Sequence, residues 1–229
     1  MPDTYQLPVI ERKAVVEGTF LVNLGLKGNH FRFQSGQYIR MSLPELLFED
    51  PKGNIRDFSI ASSPNNKKYL SILFRNSGSG FKETLLKCPL GTLVNAQGPF
   101  GLFTLPPSSR RPLVFLAGGV GITPFLSMIL HATEKKLKYQ ITLIYANWSR
   151  KTGAFIKELS DLKKRNPRFV LKNRYGFITR NVIRKQVKDI SAPLWYVCGP
   201  PPMVEAVYPL LQEMGIPQSD IVLEVFTGY

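Results

Sequence analysis

The chain has 229 residues, 44% hydrophobic and 20% charged, which is enough for one large or two medium cores and too apolar for a disordered chain. Two cysteines and two histidines exclude a disulfide framework and leave little for a metal site; an iron–sulfur cluster, which needs about four ligands, is not expected. The formal charge is +14, and residues 131–190 hold 16 Lys and Arg against 4 Asp and Glu, so an anionic ligand or partner is expected there. No nucleic-acid motif and no aromatic-interleaved basic repeat accompanies the charge, which sets nucleic acid aside.

The start, MPDTYQLPVI, lacks the basic and apolar regions of a signal peptide, and with so few cysteines the reducing cytoplasm is the expected compartment. Up to about Leu105 the apolar pattern is that of strands. AVVEGTFLVNLGL, QYIRMSLP, RDFSIAS, YLSILFRN and TLVNAQG are separated by clusters of Gly, Pro, Asn and Ser. Five or six short strands with almost no helix between them predict a small closed antiparallel barrel. SGFKETLLK is the one short helix expected in this half. LPPSSRRP, from Leu105 to Pro112, reads as a linker that divides a domain over 1–106 from one over 107–229.

Beyond it the rhythm changes. The β-rich runs LVFLA, ITLIYAN, RFVLKN, LWYVCG and IVLEVF alternate with the helical stretches PFLSMILHATEKK, AFIKELSDLKKR, TRNVIRKQVKD and PPMVEAVYPLLQEMG. That alternation predicts a five-stranded parallel sheet covered on both faces. Residues 112–133 carry no charged side chain and are long enough to suggest a membrane span, but the glycines and Thr-Pro at their centre predict a strand, a turn and a helix. The turn is LAGGVGITPF. Its glycines follow a buried strand and precede a helix, where backbone amides and the helix dipole favour an anion. Thr123 is expected to cap that helix and Pro124 to fill its first turn.

RDFSIASSP, Arg56 to Pro64, resembles the Arg-x-Tyr-Ser signature of the ferredoxin–NADP reductase family, with Phe58 in the tyrosine position. The resemblance continues in order through GPFG (Gly98–Gly101), AGGVGITP, CGPPPM (Cys198–Met203) and EVFTGY, and so covers nearly the whole chain. It implies a flavin on the barrel, a nicotinamide nucleotide on the second domain, and hydride passing between them. Arg56 would contact the flavin phosphate, Phe58 would lie against the ring, and Ser59 would stand near the flavin N5. Gly80, Phe81 and Lys82 would hold the pyrophosphate, with Lys82 replacing the family's hydroxyl residue; Arg75 is a further flavin candidate. Gly119, Gly121, Thr123 and Gly199 would receive the nucleotide. Cys198 would touch the nicotinamide ring and Glu224 would support it. Phe226 is the first choice for an aromatic covering the flavin, and Tyr229 the second.

Ser149, Arg150 and Lys151, with Lys172 and Arg174, supply cations where a 2′-phosphate is recognised, which favours NADPH over NADH. The resemblance implies FAD and leaves FMN open. Without cluster-binding cysteines of its own, the chain is expected to reduce a separate acidic acceptor such as a ferredoxin, a flavodoxin or an oxygenase component. A reductase of free flavin or small acceptors, or a flavin-bearing subunit of a larger complex, remains the alternative.

Overall fold

A computed structural model describes residues 3–108 and 110–226. The first half supplies six strands, β1 (Thr4–Val16), β2 (Thr19–Gly25), β3 (Tyr38–Ser42), β4 (Ile55–Ser59), β5 (Tyr69–Arg75) and β6 (Leu93–Phe100), and one helix, α1 (Gly80–Lys87). They form an antiparallel sheet in the order β4-β3-β6-β1-β2-β5. Its two edges are drawn together by a bridge between Ile60 and Ile72, beside which the Ala61 N–H donates to the Ser71 carbonyl at 2.8 Å. The sheet therefore curls into the expected barrel. Leu7, Val9, Val22, Leu24, Ile39, Met41, Ile72 and Val94 fill its interior.

The long first strand is absent from the sequence reading, and the run AVVEGTFLVNLGL proves to be a hairpin turning at Glu17-Gly18. Strand β1 pairs with β6 over Thr4–Pro8 and with β2 from Val9 onward, so one extended segment serves both sides of the barrel.

The second half supplies β7 (Leu113–Gly118), α2 (Ile122–Glu134), β8 (Ile141–Asn147), α3 (Ile156–Arg165), β9 (Phe169–Tyr175), α4 (Arg180–Gln186), β10 (Leu194–Gly199), α5 (Pro201–Glu213) and β11 (Ile221–Val225). All five strands are parallel, in the order β11-β10-β7-β8-β9. Strand β7 shows why its sequence is continuously apolar. Leu113, Phe115 and Ala117 pack with α2 and α3 on one face, while Val114 and Leu116 pack with α4 and α5 on the other. The uncharged stretch 112–133 is thus a strand, a short 3₁₀ turn over Gly119–Gly121, and a helix. Among the described residues no helix is long and apolar enough to cross a membrane.

The order of strands reverses between β7 and β10, and their carboxyl ends open a crevice there. Polar contacts seat the barrel against this sheet. Ser127 Oγ donates to the Ser62 carbonyl at 2.6 Å, Asn65 Nδ2 to Glu134 Oε2 at 2.7 Å, and the Tyr196 hydroxyl to the Thr104 carbonyl at 3.1 Å.

Candidate active site

A cleft of about 650 Å³ lies between the barrel and the parallel sheet. Strands β3, β4 and β5 form one wall with Tyr38, Arg40, Phe58, Ser59, Phe74 and Arg75; Val120, Glu224 and Phe226 form the other. The two walls meet at one hydrogen bond. Ser59, the last residue of β4, donates from Oγ to Glu224 Oε1 at 2.7 Å. Burial pushes the Glu224 carboxyl up to about 7, and the Ser59 hydroxyl acts against that rise. Cys198 is paired in register with Glu224 on the neighbouring strand and is fully buried. Burial first, and the nearby Glu224 second, raise its thiol well above the ordinary range, so it is an unreactive thiol.

At the other end of the barrel wall the cleft is lined by Lys52, Arg56 and Lys82. Arg56 is only 11% exposed; its Nη2 lies 2.7 Å from Asp50 and its guanidinium stands 5.2 Å from the centre of the Phe81 ring. Lys82 is also buried, and burial, together with the charges of Arg56 and Lys52, lowers its ammonium pKa while Asp50 opposes the change. Cations at one end, an aromatic wall in the middle and a hydroxyl–carboxyl pair at the other match the parts of a flavin dinucleotide: diphosphate, ring, and the edge where the ring reacts.

Not every expected flavin contact faces the cleft. Gly80 is packed so closely under the carbonyls of Phe48 and Glu49 that a Cβ there would run into both. The Phe81 ring belongs to the barrel core, and its N–H is already given to Asp50 at 2.9 Å. Lys82 alone of the three lines the cleft. Phe58 lines the cleft but is buried, with its ring centre 5.9 Å from the centres of both Phe74 and Phe81.

On the sheet side, Gly119 has φ of +53° and open space where a side chain would stand. Gly121 has none: a Cβ would meet the Cys198 carbonyl. Gly199 lies beneath the Met203 sulfur, which would be 2.8 Å from an added Cβ. Thr123 does not cap α2. The helix starts two residues earlier than a Thr123 cap requires, at Ile122 after the 3₁₀ turn, and Thr123 Oγ1 instead donates to the Val120 carbonyl at 2.6 Å.

Ser149, Arg150 and Lys151 are exposed on a turn beyond β8, where Ser149 caps the turn and accepts the Lys151 N–H at 3.2 Å. Lys172 and Arg174 are exposed along β9. Beside them stand two aromatics the sequence reading passed over. Trp148 and Phe177 are 68% and 69% exposed and meet edge to face with centres 5.3 Å apart. Phe226 lines the cleft, whereas Tyr229 lies outside the described residues. Tyr38, Arg40 and Lys52 also reach the cleft without having been singled out. Lys52 was legible only as one charge in a loop; Tyr38 and Arg40 sit on a strand whose open face nothing in its pattern marks.

Comparison with known proteins agrees with this arrangement. Residues 6–105 match the oxidoreductase FAD-binding domain and residues 115–208 the oxidoreductase NAD-binding domain. The anthranilate 1,2-dioxygenase electron transfer component of Acinetobacter baylyi is 30% identical over 85% of this chain, which spans 58% of that protein. The reductase component of phenol 2-monooxygenase from a Pseudomonas species is 27% identical over 98% of this chain and 68% of its own length. Of solved structures, an Amycolatopsis cytochrome P450 reductase superposes with a TM-score of 0.84 at 24% identity, covering 99% of this chain and 71% of that one. The FAD/NAD-binding domain of a Vibrio cholerae nitric oxide dioxygenase superposes at 0.81 with 22% identity, covering 96% and 98%. The chain spans little more than half the length of several relatives it matches. With both domain models matched in order on a barrel and a parallel sheet, the chain belongs to the ferredoxin–NADP reductase-like family of FAD- and NAD-binding oxidoreductases.

Proposed function

We propose that this chain, as two domains over 1–106 and 107–229, takes hydride from a nicotinamide nucleotide into bound FAD and hands electrons to a separate acceptor protein. The observation that carries the reading is the Ser59–Glu224 hydrogen bond, which joins the end of a barrel strand to the end of a sheet strand inside the cleft. When bound, the flavin supplies the acceptor for the hydride and releases electrons singly or in pairs. The Ser59 hydroxyl donates to Glu224 at the junction of the walls, and a carboxyl poised near neutrality can take or give a proton there. Cys198, buried beside Glu224 on the neighbouring strand, would be an unreactive neighbour for the nicotinamide ring. Arg56, Lys52 and Lys82 receive the diphosphate, and Arg75 adds charge at the rim. Phe226 covers the ring and moves aside for the nicotinamide.

For the nucleotide, Gly119 leaves the backbone open to a diphosphate at the start of α2, and Gly121 and Gly199 keep the turn close to β10. Arg150 and Lys151 select the 2′-phosphate of NADPH, and Trp148 with Phe177 offers an exposed aromatic face to its adenine. The acceptor is an acidic protein of the ferredoxin, flavodoxin or oxygenase-component kind, attracted by the excess of 16 basic over 4 acidic residues in 131–190.

The test is an anaerobic absorbance titration of the FAD-loaded chain. The flavin bands bleach with NADPH, and with NADH only at higher concentration; a ferredoxin added next is reduced more slowly as salt rises. Bands that persist with both nucleotides would overturn the reductase reading, and rates flat from low to high salt would remove the acidic partner.

A further inference from the structure

The loop between β3 and β4 includes Phe48-Glu49-Asp50-Pro51-Lys52-Gly53, outside both the flavin signature and the nucleotide turn. Its Asp50 carboxylate is 2% exposed. It accepts the N–H of Phe81, in the first turn of α1, at 2.9 Å and the N–H of Lys52 at 2.9 Å, and lies 2.7 Å from Arg56 Nη2. Burial works against its ionisation, but the two amides and the arginine outweigh it and hold the carboxyl below its ordinary range. Asp50 itself does not line the cleft, whereas Lys52, Arg56 and Lys82 do. One negative charge therefore stands behind three positive ones.

We infer that Asp50 is the positioning residue of the flavin-phosphate site, tying Arg56, the first turn of α1 and the Lys52 loop into one preformed anion receptor without touching the ligand. The inference rests on the flavin reading above. The loop wraps the arginine from the opposite side as well, since Arg56 Nη1 donates to the carbonyls of Lys52, Gly53 and Ile55 at 2.9, 3.0 and 2.6 Å. The guanidinium is thus fixed before any phosphate arrives, and little of its rotamer freedom is left to lose on binding. The same loop presses the carbonyls of Phe48 and Glu49 onto Gly80, which locks it against the helix start.

A carboxylate this near a phosphate site also repels the ligand, so charge alone gives the opposite expectation: removing Asp50 should tighten binding. Two observations oppose that. Without Asp50 the Arg56 guanidinium loses the partner that aims it, and the Phe81 and Lys52 amides lose their acceptor. Lys82, whose ammonium pKa is lowered by burial, loses with Asp50 the nearby charge that supports its protonated form.

The sign of the effect is therefore the test. Asp50→Asn keeps the shape and removes the charge. Titration of the apoprotein by flavin fluorescence should show FAD held about tenfold more weakly by the variant, with riboflavin, which has no phosphate, within about twofold of the unaltered chain. In an Arg56→Gln background the same substitution should change FAD affinity by less than about threefold, because the two residues act through one contact. FAD held equally well or more tightly would overturn the inference, as would riboflavin falling in parallel with FAD, which is the mark of general damage to the barrel. Asp50→Glu, with the charge kept but misplaced, carries the same comparison if the asparagine variant does not fold. An unaltered chain that fails to bind FAD at all would instead remove the flavin reading beneath it.

Discussion

The two walls of the cleft are built by opposite means. On the barrel side two charged groups are buried and held, Arg56 by three carbonyls and Asp50 and Lys82 within the first turn of α1, while Arg40, Lys52 and Arg75 stay exposed. On the sheet side the strand ends offer bare backbone at Gly119 and leave the cations of the Ser149–Lys151 turn in solvent. Preformed, buried contacts suit a ligand that stays, because ordering costs are met once, on folding. Exposed side chains around an open backbone suit a ligand that arrives and leaves with every turnover. The contrast is what the proposed function requires of a resident cofactor on one side and a visiting substrate on the other, and each of the following substitutions tests one side of it.

The largest effect is expected at the seam of the sheet side. Gly121 has an ordinary helical φ of −62°, so alanine there is not strained in its backbone. Its Cβ would nevertheless strike the Cys198 carbonyl, and the turn would have to part from the end of β10. Gly121→Ala should lower stability by about 3 kcal/mol and nucleotide-driven flavin reduction by more than about a hundredfold, with FAD still bound. Gly119→Ala meets no neighbour and carries only the cost of a left-handed residue, about 1 kcal/mol, yet it fills the open space proposed for the nucleotide. Thermal unfolding and stopped-flow reduction separate the two. Equal losses of stability in both variants would show that the seam is not the constraint.

Where the walls touch, the effect is next in size and depends on pH. Burial pushes the Glu224 carboxyl up to about 7 in the folded chain, from an ordinary 4.5. Between those values the folded chain binds more protons than the unfolded one, so stability falls as pH rises from about 4.5 to about 7 and then levels. Glu224→Gln should abolish that slope in urea unfolding followed across pH. Ser59→Ala removes the hydroxyl that favours the charged form; the Glu224 pKa then moves further up, and the fall in stability extends above pH 7. The same variant should slow hydride transfer by about a hundredfold through misplacement of the reacting edge. An unchanged pH slope in Glu224→Gln would place the titration elsewhere.

These two regions were not equally legible in the sequence. The parallel sheet could be read strand by strand because each of its inner strands is buried on both faces, which leaves unbroken apolar runs such as LVFLA and LWYVCG. Strand β1 escaped notice because Pro8 and the exposed Glu11 and Lys13 interrupt its alternation. Ser59 and Glu224 stand 165 residues apart, and only the order of family motifs joins them; no local pattern could. The residue type of Thr123 predicts a cap, but the 3₁₀ turn before it sets the helix start at Ile122. Asp50 was invisible for a different reason: a loop acid becomes informative only when the fold brings it to an amide 31 residues away.

The smallest effect lies at the exposed end of the nucleotide wall. Arg150 and Lys151 are held only through the turn that Ser149 caps, and their side chains reach into solvent. A charge in that position is screened, and its contact with a phosphate has to be formed anew by a mobile side chain at each encounter. Arg150→Ala should therefore raise the KM for NADPH by about threefold to tenfold at low salt, leave kcat within about twofold, and leave the KM for NADH unchanged. The difference should shrink as salt rises, because the contact is made in water. A buried, preformed 2′-phosphate contact would give a larger change that persists in salt, and that result would make the sheet wall resemble the barrel wall. Equal changes for NADPH and NADH would instead move Arg150 from the 2′-phosphate to a group the two nucleotides share, and the proposed preference for NADPH would have to rest on Lys151, Lys172 or Arg174.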